Sequence, residues 1–521
     1  MNKQEVIIVI LIFFSCNNLL NSQNIAPWGD QGNGTFINPI INADYSDPDV
    51  IRVGEKYYMI CSEFQYIGMT IQESDDMINW RIVGRIYDSL PAPEYNTMER
   101  YRGGSWAPAL RYHNDKFWVF FCTPHEGLFM TTATDPRGPW EPLHLVKGIA
   151  GWEDPCPFWD DDGKAYLGRS RVGAGPIIIH RMSPDGRELL CEGDTVYVGP
   201  VAEGTKFLKR NGYYYLSIPE GGVRIGYQTI LRSKNIYGPY ERRIALHKGS
   251  TDINGPHQGA LVDTPEGEWW FYHYQWKNVL GRVLHLQPVF WYDDWPHIGV
   301  DYEGDGIGEP VHVWKKPNVG KEFPIERPAS SDDFSSDQLG LQWLWNHNPV
   351  NSAWSLTEQP GALTLNAIQA SELKLARNTL TQKTMGYVGQ ATIELDVQDI
   401  VEGQRAGLSY FSNIFFEVGI TSRNGELFVY HVPEEGESVK EPFNSNTVYL
   451  RVSINLLEQT NQFYYSVDND SFKPIGEPFE MTWGNWKGPV IGLYNYNINK
   501  DDGKARFKSF HYDYEGVKEI K

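Results

Sequence analysis

Three carboxylates head similar segments in the first half of this chain: Asp47 before Pro48, Asp154 before Pro155 and Glu203 before Gly204. Two carboxylates facing each other across a pocket are enough to hydrolyse a glycosidic bond. One, ionised, takes a proton from water; the other, protonated, gives a proton to the leaving oxygen. Glu203 suits the acid, because its longer side chain reaches an oxygen at a pocket rim, and Asp47 is then the base. Asp154 supplies a nearby negative charge that lifts the acid's pKa from about 4.3 towards neutrality. Taken singly each residue is bland, since Asp before Pro is commonly a turn former and Glu before Gly a loop residue. Their shared place in a repeat sets them apart.

That repeat has five copies. Asp47, Trp106, Asp154, Glu203 and His257 each lead into a short β-prone run, a turn at Gly54, Asp115, Gly163, Gly212 or Gly267, and an aromatic-rich second run. The offsets from leading residue to turn are 7, 9, 9, 9 and 10, and the turns recur every 48 to 61 residues. A period of this length, built from short strands, predicts a five-bladed β-propeller. On this alignment the five leading residues occupy equivalent places on the innermost strands and ring one axial pocket. A structural position usually keeps one residue type; here the types differ, which favours chemistry. Carboxylates on non-adjacent blades stand well apart, and about 6.5–9.5 Å would leave room for a water and predict inversion. Trp106 is a stacking platform for a sugar ring or an axial filler. His257 is a channel plug, a substrate contact or the one protein ligand of an axial cation; a calcium ion there would need a largely aqueous shell. Arg282 binds sugar hydroxyls, pairs with an axial carboxylate, or both.

A second recurring element supports the blades. Ser74 to Trp80, Thr134 to Trp140 and Ser233 to Tyr240 are turn-rich exits, each ending in an aromatic placed to pack between blades. Residues up to about 35 read as a tether, the propeller domain as 35–320, and Glu322 to Ser331 as a proline-containing linker. Over 332–517 short alternating runs separated by Gly, Asn and Asp predict a two-sheet, concanavalin-like jelly-roll β-sandwich. The fold class is therefore all-β.

With 521 residues, 41% of them hydrophobic and 14% aromatic, the chain is globular and long enough for more than one core. A net charge of −20 disfavours nucleic acid and anionic lipid and leaves uncharged sugar polymers compatible. Lys3 followed by the apolar run Val6 to Phe14 reads as a signal segment within residues 1–22, too short to span a bilayer. Cleavage before Gln23 and lipid attachment at Cys16 are both open, so the protein is secreted, periplasmic or anchored at the cell envelope. No later segment is long and apolar enough to be transmembrane. Cys61, Cys122, Cys156 and Cys191 allow three disulfide pairings, and their spacing selects none; free buried thiols suit at least two of them.

Asn42 to Arg52 with Asp47 inside, Trp106-Ala107-Pro108, Asp154-Pro155, Glu203-Gly204, Glu220-Gly221-Gly222, Gly281-Arg282 and Gln287-Pro288 resemble glycoside hydrolase family 43, in order, over about residues 38 to 300. The resemblance implies an inverting five-bladed propeller acting on arabinose- and xylose-containing plant polysaccharides or oligosaccharides. It implies Asp47 as base, Asp154 as pKa modulator and Glu203 as acid. It also implies that Phe64 and Trp106 wall the terminal-sugar subsite, that Arg282 contacts that sugar, and that His257 lies near an axial cation, often a structural calcium. Leu341 to Pro349 is similar to the start of the C-terminal sandwich of β-xylosidase and α-L-arabinofuranosidase members, a domain that can lend a loop to the pocket and so favours exo action. Lys206 is a departure, because Glu203-Gly204-Thr205-Lys206 stands where many members carry Gly-Pro-His. Two other readings compete: a non-catalytic sugar-binding protein, and a retaining enzyme of the fructosidase type.

Overall fold

The structure, a computed structural model, describes residues 26–64, 68–97, 99–101, 103–434, 439–484 and 486–516. The predicted signal segment, with Cys16, lies outside them. Among the described residues no helix is long and apolar enough to cross a membrane.

Five antiparallel sheets, four of four strands and one of five, form the blades of a propeller. Blade I is built from Asp49–Val53, Lys56–Ile60, Thr70–Ser74 and Trp80–Arg85. Blade II runs from Trp106–His113 to His144–Gly148, blade III from Trp152–Trp159 to Asp194–Tyr197, and blade IV from Lys206–Arg210 to Glu241–Leu246. Blade V comprises Leu261–Asp263, Trp269–Trp276, Arg282–Tyr292 and Trp295–Ile298. The five turn residues, Gly54, Asp115, Gly163, Gly212 and Gly267, all have φ between 58° and 85°. That left-handed backbone explains the Gly and Asp at those places. The ring is sealed by Ile41–Asp44, which pairs with the Arg282–Tyr292 strand and so ties the start of the propeller to its last blade. The exit aromatics pack as read: Trp80 of blade I meets Tyr272 of blade V edge to face at 5.8 Å.

Residues 26–35 do not behave as a tether. The buried Trp28 stacks on Tyr514 at 6.4 Å, and Gly29–Asp30 pairs with Thr35–Ile37, which in turn pairs with Val313–Lys315. A large indole with an aromatic partner outweighs a local Asn/Gly-rich composition.

The C-terminal part is a sandwich of an eight-stranded and a seven-stranded sheet. Its strands show the expected period of two; Thr447–Asn455 alternates half-buried and buried residues along its whole length. Residues 322–331 carry no regular element. One apolar cluster runs through both parts, joining Trp80, Trp270 and Tyr272 of the propeller to Trp343, Leu380 and Phe510 of the sandwich. The sandwich is thus packed against blades I and V. The four described cysteines are all unpaired.

Candidate active site

Each innermost strand carries one residue in left-handed conformation at its start: Asp47 (φ 54°), Ala107 (33°), Asp154 (56°), Gly204 (62°) and Gln258 (52°). On blades II and III the ladder slips around this residue, between Trp106 and Ala109 and between Glu153 and Cys156, as a β-bulge does. The preceding residue is paired to the second strand on every blade: Ser46 with Ser62, Trp106 with Cys122, Glu153 with Ser170, Glu203 with Pro219, and His257 with Tyr274. The copies therefore align one residue differently from the reading by turn offsets. Asp47 and Asp154 share the bulge place with Ala107, Gly204 and Gln258. Trp106, Glu203 and His257 share the earlier place with Ser46 and Glu153.

The bulge aims both aspartates at the axis and gives them the same partner. Ser62 donates to Asp47 Oδ2 at 2.5 Å, and Ser170 to Asp154 Oδ2 at 2.7 Å. Asp47 also receives Arg282 Nη1 on Oδ1 at 2.8 Å. Asp154 receives the Gly204 amide at 2.8 Å and Gln258 Nε2 at 3.2 Å. Burial pushes the Asp154 carboxyl up, against the Ser170 and Gly204 hydrogen bonds, with Asp47 adding to the rise.

A cavity of about 460 Å³ opens over these groups. Asp47, Asp154, Glu203, Phe64, Trp106 and Arg282 all line it, so six of the seven predicted residues converge. Phe64 and Trp106 meet at 5.4 Å with their planes tilted by 54°, forming a corner of the wall. Trp106 Nε1 is fixed to Gly103 O at 2.5 Å, so its ring is a wall rather than an axial filler. Glu203 is half-buried; burial first, then the negative charge of Asp154, raises its pKa to about 8, with Arg282 opposing.

His257 is the exception. It is 0% exposed and is not part of the cavity wall, where Gln258 stands instead. Its Nδ1 lies 2.9 Å from Gly255 O, and burial holds the ring neutral by lowering its pKa to about 3. Its Nε2 is buried without a partner, which fits an axial cation whose other ligands are water. Elsewhere His247, Glu303 and Glu309 bring one possible ligand atom each within 4.8 Å of one another. Glu309 there is occupied as a clamp for Ser250 and for the amides of Tyr302 and Glu303. A larger recess of about 570 Å³ is lined by Asp30, Asp76 and Lys316, and there both aspartates are paired with the lysine, at 2.5 and 2.7 Å.

Lys206 runs to the axis, buried, donating to Pro108 O at 2.8 Å and lying 3.5 Å from Asp49 Oδ2. Its charge bears on Asp154, whereas the charges that bear on Glu203 are those of Asp154, Arg282 and Asp47.

Of the lining residues that the sequence did not mark, two bear most on the chemistry. Trp486 reaches the cavity from the sandwich, with the Arg282 guanidinium 5.1 Å from its ring centroid. Glu153 lines it from blade III, and its oxygens, those of Asp154 and those of Glu203 come within 4.8 Å of one another. Glu153 becomes visible only through the bulge register of the folded strand, and nothing local marks Trp486.

The carboxyl groups gathered in this one aromatic-walled pocket are equipped for acid–base chemistry. The family model described as Glycosyl hydrolases family 43 matches residues 36–296, and the Beta xylosidase C-terminal Concanavalin A-like domain matches residues 331–513. A putative beta-xylosidase of Xylanibacter ruminicola is 53% identical over 89% of this chain and 87% of its own length. A non-reducing end alpha-L-arabinofuranosidase of Bacteroides ovatus is 30% identical over 75% of this chain and 77% of its own. Among solved structures, a bifunctional GH43-CE protein of Bacteroides eggerthii superimposes with a TM-score of 0.81 at 30% identity, covering 92% of this chain and 64% of that one. The chain is a glycosidase and belongs to glycosyl hydrolases family 43.

Proposed function

We propose that this protein is an exo-acting, inverting glycosidase that releases terminal β-D-xylose from xylan-type oligosaccharides, with α-L-arabinofuranose as the alternative terminal sugar. The observation that carries the reading is one cavity holding Asp47, Asp154 and Glu203 from blades I, III and IV between the rings of Phe64, Trp106 and Trp486. Glu203 is the acid, Asp47 the base, and Asp154 the group that raises and orients the acid. Asp47 lies outside the 4.8 Å group that Glu203 forms with Glu153 and Asp154, which supports a base across the sugar from the acid. Water adds to the anomeric carbon as Asp47 takes its proton. The carbon–oxygen bond breaks with its electron pair going to the glycosidic oxygen, which takes the proton of Glu203. Arg282, held on Asp47, and Gln258, held on Asp154, keep the two aspartates in place.

Trp486 supports exo action, because the sandwich closes one side of the cavity with it. The preference for xylose follows the 53% relative, named a putative beta-xylosidase; the arabinose reading rests on the 30% one. A calcium ion held by His257, its other ligands being water, would add positive charge at the axis. The propeller (35–320) carries the reaction and the sandwich (332–517) completes the pocket. Export, read from residues 1–22, brings the enzyme to plant polymers outside the cytoplasm.

The test is incubation with xylo-oligosaccharides and with aryl β-D-xyloside and aryl α-L-arabinofuranoside, the product anomer being followed by NMR. Release of single α-xylose units supports the proposal. Internal cleavage, a retained anomer, or full activity of Glu203→Gln on oligosaccharides overturns it.

A further inference from the structure

Glu153 has no place in the three-carboxylate scheme, yet it occupies on blade III the position that Glu203 occupies on blade IV. Both precede the bulge, both line the cavity, and their carboxyl oxygens lie within 4.8 Å of each other. Glu153 is only 9% exposed, and its Oε1 has no hydrogen-bond partner. A buried, ionised carboxylate with an unsatisfied oxygen is costly, and more so beside two others. The charges bearing on it are those of Asp154, Glu203 and Asp47, all of which disfavour its ionisation. The nearby cations are engaged elsewhere: Arg169, on the adjacent strand, stacks on Trp152 and donates to His180; Arg282 pairs with Asp47; Lys206 lies against Asp49. A further titratable neighbour is Cys122 of blade II, a buried thiol.

We propose that Glu153 and Glu203 hold the catalytic proton jointly, so that the acid of this enzyme is a pair of carboxyl groups rather than one. The inference rests on Glu203 being the acid, as argued above. Two carboxyls this close titrate as a unit: the first proton leaves at one pH, and the second is retained to a higher pH by the charge just created. Burial, then the charge of Asp154, raises both Glu153 and Glu203 well above the ordinary carboxylate range, so a proton stays in the pair into alkaline solution. In the reaction the glycosidic oxygen takes the proton from Glu203 as its bond to the anomeric carbon breaks. The pair is left one proton poorer, and solvent replaces it after the product leaves, while Asp47 returns to solvent the proton it took from water. Glu153 is in this sense a positioning residue for the proton.

The experiment compares the parent with Glu153→Gln and Glu153→Asp. It measures kcat/KM from pH 5 to pH 10 on xylobiose, whose leaving group needs a proton, and on a dinitrophenyl xyloside, whose leaving group does not. The glutamine variant should move the alkaline limb on xylobiose at least one unit lower, about a tenfold loss beyond that limb. Glu153→Asp should recover part of the shift, and the limb on the dinitrophenyl substrate should stay in place. An unmoved xylobiose limb, or an equal loss on both substrates at every pH, overturns the shared proton and leaves Glu203 as a single acid. Full activity of Glu203→Gln on xylobiose would instead remove the acid assignment itself, whatever Glu153 does.

Discussion

Arg282 Nη1 donates to Asp47 Oδ1 at 2.8 Å, joining the last blade of the propeller to the first across the site of reaction. The same guanidinium lies 4.8 Å from the Tyr274 ring centroid and 5.8 Å from that of Phe64. One side chain thus fixes the proposed base, Asp47, and backs the aromatic wall. Arg282→Ala should lower kcat/KM about 10²-fold, the scale expected when a reacting group is misplaced by about an ångström. Arg282→Lys should recover little, because an ammonium lacks the planar fork. Steady-state kinetics on one oligosaccharide decides it, and a lysine variant with parental kcat/KM would show that charge alone suffices.

The sandwich reaches Asp47, the proposed base, through a relay. Lys487, 0% exposed, donates to Ser62 O at 2.8 Å, and the hydroxyl of Ser62 donates to Asp47. Lys487 also lies 3.4 Å from Asp44 and 3.7 Å from Glu63, the latter paired with Lys383 at 3.0 Å. Removing one member of such a cluster leaves buried charge uncompensated, at a cost of about 3–5 kcal/mol. Lys487→Met should therefore lower both Tm and activity. Unchanged thermal unfolding in this variant would show that the inter-domain ion pairs are not structural.

Much of the site is legible in the primary structure because a propeller repeats: Asp47, Asp154 and Glu203 recur against the same turn-and-strand grammar, and all three line one cavity. The exact register was not legible. A β-bulge adds one residue to a strand without changing its composition, so turn offsets of 7 to 10 could not show that Asp154 and Glu203 hold successive places rather than one. That slip hid Glu153 behind its neighbour. Trp486 was hidden for another reason. It stands more than 400 residues from Asp47 in a short loop with φ of 76°, without strand period or repeat, and only the packing of the two domains brings it to the cavity.

Trp486 is 42% exposed and touches the site without belonging to either core. Trp486→Ala should therefore raise KM for oligosaccharides about tenfold, equivalent to about 1.4 kcal/mol of binding, while Tm and the rate on a small aryl glycoside change little. A drop in kcat on every substrate with unchanged KM would place the ring in the chemistry rather than in sugar binding.

Glu203, the proposed acid, imposes a stability cost whose sign follows from its environment. Burial and then Asp154 raise Glu203 to about 8, far above the ordinary carboxylate range. Below the unfolded-state pKa, about 4.3, both folded and unfolded chains hold the proton and nothing is lost. As pH rises from there to about 8, the unfolded chain ionises while the folded chain does not, so stability drains away over that window. Glu203→Gln cannot ionise and escapes the loss. Its Tm should match the parent at pH 4 and exceed it at pH 7.5, although its activity on oligosaccharides falls about 10²- to 10⁴-fold. Thermal unfolding of both proteins across that range measures the gap. A variant that melts below the parent at pH 7.5 would mean that Glu203 is ionised and stabilised in the folded state, a condition in which it has no proton to give a leaving oxygen.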